Sequence, residues 1–215
     1  MRTQVAALAW QQVVRASRTP ALWVVVVGHV LALTLYLVVW GDGVSLVGAR
    51  APFDQFTTAY TSLLVVLLPW VAARCLAVGT PDEVAIRAVL AGQRPLAIVF
   101  GATIGLALVL LAVVGTGLPI AVLAQQTSER SSWEIAHVAA RLAGLAACLA
   151  PISAAATLAT GSRLWGWLLG IVAGGVLASA APLGVVGSTM LWPVAAFATA
   201  SVAEHADRRW RHLAE

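Results

Sequence analysis

Three sets of side chains in this sequence are of types that do chemistry. The first is Glu134, His137 and Arg141, spaced i, i+3 and i+7, which on a helix share one face. A carboxylate, an imidazole and a guanidinium so arranged could meet a substrate or gate, or pair among themselves. Arg141 stands inside an otherwise uncharged run, where a charge at membrane depth is costly and points to function. Arginine near the end of a span can also snorkel to the interface, so both readings stand. The second is His29, a lone histidine in the charge-free run 19–41. Such a residue is more often a hydrogen-bonded packing residue than a ligand. His29 and His137 could hold a haem only if they converged.

The third is the stretch GTPDEVAIRAVLAGQRP, residues 79–95. Thr80 suits an N-cap, and Pro81 then takes the first helical position, where its missing N–H costs nothing. Glu83 completes a T-x-x-E capping box. Asp82 and Glu83 suit the positive end of the helix dipole, and Glu83 and Arg87 form a favourable i,i+4 pair. Gly92 and then Pro95 end the helix. Ile86, Val89 and Leu90 make an apolar face, while Glu83, Arg87 and Arg94 fall on a polar side. A helix of about twelve residues is marginal alone in water. It therefore needs to bury one face against the bundle or the membrane interface.

Catalytic motifs are missing. There is no H-E-x-x-H, and neither ATGSRLW nor VVGSTML makes a persuasive nucleophile elbow. Cys75 and Cys148 have no metal-site spacing and read as small buried hydrophobes. The expectation is a chain that is not an enzyme, with no metal and no cofactor of its own.

The elements that must position these residues follow from composition. Of the 215 residues, 60% are hydrophobic and 10% charged, against about 25% charged in an ordinary soluble domain. Lipid is the expected solvent. All 13 basic residues are arginines. They lie at the edges of apolar runs and bring no nucleic-acid motif with them, so no nucleic-acid partner is expected.

A membrane-crossing helix needs about 20 apolar residues. The sequence offers spans at about 21–40, 55–78, 95–118, 135–160, 164–182 and 187–203. An amphipathic segment 1–18 precedes them and a charged tail 204–215 follows. The predicted fold is an all-α polytopic membrane protein: one domain, six transmembrane helices, both termini cytoplasmic, and the short helix 80–92 on the cytoplasmic side between spans two and three. With that orientation Arg2, Arg15, Arg18, Arg74, Arg87, Arg94, Arg163, Arg208, Arg209 and Arg211 lie inside, and Arg50, Arg130 and Arg141 outside. Such a distribution obeys the positive-inside rule. Gly166, Gly170 and Gly174 form a small-residue stripe on span five, and Gly101 and Gly105 a second on span three. Either stripe could pack a helix of the same chain or a second subunit.

In layout the chain resembles the membrane subunit of a type-2 ABC exporter. The resemblance is carried by LAWQQVVRASRTPALWVVVV running into the first span, by WVAARCLAVGTPDEVAIRAVLAGQRPLAIVFG between spans two and three, and by the six-span plan with its charged tail. It implies a cytoplasmic ATPase as partner, coupled through Thr80, Asp82, Glu83, Arg87 and Arg94 and through Arg15 and Arg18 of an interface helix. ATP and magnesium would sit on that partner, since this chain has no G-x-x-x-x-G-K-[ST] loop. It also implies a second permease subunit, identical or related, in the plasma membrane, and an amphipathic or lipid-like cargo. The haem-exporter-like membrane subunits of cytochrome c maturation share the layout, and a non-transporting scaffold is a further alternative.

Overall fold

The structure is a computed structural model that describes residues 2–43, 52–76, 95–126, 132–160 and 162–179. Within them it is all helical: α1 (Arg2–Ser17), α2 (Pro20–Gly43), α3 (Pro52–Leu76), α4 (Pro95–Gln126), α5 (Ser132–Thr160) and α6 (Arg163–Ser179). Four of these, α2 to α5, are long and apolar enough to cross a membrane, and α6 is a shorter apolar helix of 17 residues. The expected helix at 80–92, the sixth span at 187–203 and the tail 204–215 lie outside the described residues.

Local chemistry sets the helix boundaries. Pro20, Pro52 and Pro95 each occupy the first position of a helix, where φ is already suitable and no N–H is needed. The α1–α2 joint is tight. Ser17 Oγ and Thr19 Oγ1 bond back to the carbonyls of Val14 and Arg15, and Trp23 Nε1 donates to the Ser17 carbonyl at 2.7 Å. The third span is expected at about 95–118, and α4 continues from it through Pro119 to Gln126. A proline inside an apolar helix removes one backbone bond without ending it when neighbouring helices hold the chain in place. Pro69 and Pro151 sit inside α3 and α5 in the same way.

The helices pack around α3 and α4. The most extensive contact is α1 on α4, followed by α4 on α5 and α6 on both α3 and α5; α2 lies at the periphery against α3 and α4. Phe56, Tyr60, Leu64 and Leu68 run along one side of α3 at i, i+4 spacing and are fully buried, as are Leu106 and Leu110 of α4 and Leu149 of α5. Val24, Val27, Leu31, Leu35 and Val38 of α2 and Val172 and Val176 of α6 are exposed. Apolar faces outward and an apolar core inward suit a bundle solvated by lipid, where association rests on close packing rather than on hydrophobic burial.

Candidate functional site

Arg15 lies in the last turn of α1 and Arg18 just beyond it, Arg74 lies in the last turn of α3, and Arg163 begins α6. Contacts between α1, the end of α3 and the start of α4 gather these elements at one end of the bundle. α1 is fastened there twice. Its Val5, Leu8, Ala9 and Gln12 face α4, where a methyl group on Gly101 would stand 2.5 Å from Leu8 Cβ, and one on Gly105 would stand 2.5 Å from the Ala9 carbonyl. Gln12 Nε2 donates to the Cys75 carbonyl at 2.9 Å. That carbonyl belongs to the last turn of α3, whose C=O groups have no partner within the helix. α1 is thereby joined to both helices that flank residues 77–94. Arg15 and Arg18 are exposed. Thr80, Asp82, Glu83, Arg87 and Arg94 lie outside the described residues.

The glycine stripe of α6 is occupied by the chain itself. Gly166 meets Thr157 of α5, Gly170 meets Pro69 of α3 and Ser153 of α5, and Gly174 meets Val65 of α3. Pro69 has no N–H to offer the carbonyl of Val65, and its ring crowds the turn before it. The next carbonyl, Val66 O, accepts from Trp167 Nε1 of α6 at 3.3 Å. Glycine admits the proline ring, and the indole adds a donor one residue beyond the carbonyl that Pro69 leaves open.

His29 is buried where α2, α3 and α4 meet. Its ring stacks on Tyr60 at 6.2 Å with 15° between planes, and Phe56 and Tyr36 continue the series at 6.0 Å and 6.2 Å. Tyr60 Oη donates to the Val114 carbonyl at 2.7 Å, and Gly117 leaves the room that this approach requires. Thr116 Oγ1 gives its proton to Val113 O and lies 3.4 Å from His29 Nε2. That pairing requires the Nε2–H tautomer. The carbonyls of Val25 and Val26 approach His29, but Nδ1 closes no hydrogen bond of standard geometry. Glu134, His137 and Arg141 share a face of α5, His137 exposed and the other two half-buried. His29 and His137 do not come together: one is packed against α3 and α4, the other is exposed in an early turn of α5. Among the described residues no group of three His, Cys, Asp or Glu could hold a metal ion.

Two cavities adjoin at the arginine-rich end. One, of about 400 Å³, lies between α2 and α3 and is lined by Val25, Gly28, Leu63 and Leu67 among others, with His29 in its wall. The other, of about 330 Å³, is lined by Ala73, Arg74, Arg163 and Leu164. Trp70 and Trp167 line both. The Arg74 guanidinium stands over the Trp70 ring at 5.3 Å. The sequence reading passed over Gln12, Tyr60, Trp70, Thr116 and Trp167. Gln12 and Tyr60 bond to carbonyls 63 and 54 positions away and leave no local signal. Trp167 bonds to a carbonyl 101 positions away and leaves no local signal either.

Comparison with protein-family models, with curated proteins and with solved structures finds no match for this chain.

Proposed function

We propose that this chain is the transmembrane subunit of an ATP-driven transporter of the ABC type, an exporter of an amphipathic or lipid-like solute. The observation that supports this best is the fastening of α1. Through Gln12 and the Gly101–Gly105 face, one amphipathic helix bridges the end of α3 and the start of α4. Those two helices bracket the capped sequence at 80–92. A force applied there by a separate ATPase would pass into α3, α4 and α1 together, as a coupling device requires. ATP and magnesium belong to the ATPase. A second permease subunit, identical or related, completes the transport unit in the plasma membrane. Both termini and residues 80–92 face the cytoplasm. Cargo meets the α5 face formed by Glu134, His137 and Arg141, while His29 serves packing. Directed movement further requires that cargo bind the two states of the bundle with different affinity.

A search for a Walker-A ATPase gene beside that of this chain, followed by co-purification of the two products, tests the reading. Glu83→Ala and Arg87→Ala together are expected to weaken the complex and abolish cargo-stimulated ATP turnover. Unchanged binding and turnover in that variant would overturn the coupling role. Turnover of a substrate by this chain alone, without nucleotide, would show an enzyme. A stable complex that moves nothing in sealed vesicles would show a scaffold.

A further inference from the structure

The two adjoining cavities have the chemistry of one amphiphile. The larger is walled by aliphatic side chains of α2 and α3, and the smaller carries Arg74 and Arg163, with Trp70 and Trp167 common to both. Val24 and Val66 line the larger cavity and are 68% and 43% exposed, so it opens to the outside of the described helices. A methyl group on Gly28 would meet nothing within 4 Å, which leaves that wall unfilled. From Leu63 to Arg74 the groove follows α3 for about 16 Å at the helical rise. One leaflet of a hydrocarbon core about 30 Å thick is of the same length. Tryptophans at the junction and arginines beyond them are the order in which a bilayer passes from acyl chain to interface to headgroup. The α6 dipole adds its positive end beside Arg163.

We propose that this groove binds an anionic phospholipid of the leaflet at the arginine-rich end. One acyl chain lies along Val25, Gly28, Leu63 and Leu67, and the phosphate rests between Arg74 and Arg163. The arginines select the charge of the headgroup, and the aliphatic wall selects a molecule with a tail. The site does not depend on the transport reading and is tested on the chain by itself.

Native mass spectrometry of the full chain in neutral detergent, offered dioleoyl phosphatidylglycerol or dioleoyl phosphatidylcholine, reads the occupancy. One phosphatidylglycerol is expected to be retained about thirtyfold more strongly than phosphatidylcholine, the scale of two arginines at an anionic headgroup. Arg74→Gln with Arg163→Gln, both at exposed positions, should erase the preference. Gly28→Phe should lower retention of both lipids by filling the tail cavity. Equal retention of the two lipids by the unmodified chain would overturn the proposal, as would undiminished phosphatidylglycerol binding in either variant. Retention of neither lipid would also overturn it, the result expected if residues 187–203 of the same chain fill the groove.

Discussion

Tyr60 gives its hydroxyl proton to a backbone carbonyl, Val114 O, in a region where water is not available to replace it. Loss of that donor removes a bond that ties α3 to α4 and leaves Val114 O with its helical partner alone. Tyr60→Phe is therefore expected to destabilise the bundle by about 0.5–1.5 kcal/mol, the range for a single hydrogen bond, with interhelical bonds in membranes often at its lower end. Thr34→Val removes only an exposed bond to the carbonyl of Val30 on the same helix and should leave stability nearly unchanged. Unfolding titrations in mixed micelles compare the two; equal effects would deny Tyr60 its bridging role. At this scale the sequence was uneven. His29 attracts attention as a histidine in an apolar run, and its stacking on an aromatic neighbour suits a packing residue. Tyr60 and Thr116, which hold it, are ordinary residues until the fold brings three helices together.

Helices meet here where side chains are missing. Gly105 and Gly170 each have a neighbour, Ala9 O and Pro69 Cβ, within 2.5 Å of where a methyl group would stand, whereas Gly115 and Gly175 have nothing within 4 Å. Gly105→Ala and Gly170→Ala should each cost about 1–3 kcal/mol through overpacking. Gly115→Ala and Gly175→Ala should be neutral or slightly stabilising, since alanine is the better helix former. Thermal unfolding of the four variants separates the pairs, and similar melting temperatures across them would refute this assignment of faces. The G-x-x-x-G spacing was legible in the sequence, because small residues one turn apart imply a close neighbour. The identity of the neighbour was not, because α1, α3 and α5 offer no complementary pattern that names their partner. Each charge-free run within the described residues lies on a helix, because apolar residues without charges suit a lipid-facing helix whatever its neighbours; α3 opens at Pro52, and α4 continues past Pro119 to Gln126.

Across the whole molecule, charge asymmetry makes a statement about orientation. Arg15, Arg18, Arg74 and Arg163 sit at the end where α1 docks, the end that the proposed topology assigns to the cytoplasm by the positive-inside rule. Cys75 and Cys148 are buried at 2% and 1% exposure, so the native chain provides a quiet background for thiol labelling. An impermeant maleimide added to intact cells should label Gln55→Cys and Trp133→Cys, which are exposed near the opposite end. It should leave Arg18→Cys unlabelled until the membrane is opened. The reverse pattern would turn the bundle over and remove the 80–92 segment from reach of any ATPase. The docking of α1 also orders events in time. Synthesis delivers α1 before its partners, since the groove it fills is made by Gly101 and Gly105 and the carbonyl that Gln12 meets belongs to Cys75. This helix must therefore wait, unattached, until residues as far on as Gly105 have left the ribosome, and its seating reports that the end of α3 and the start of α4 have met.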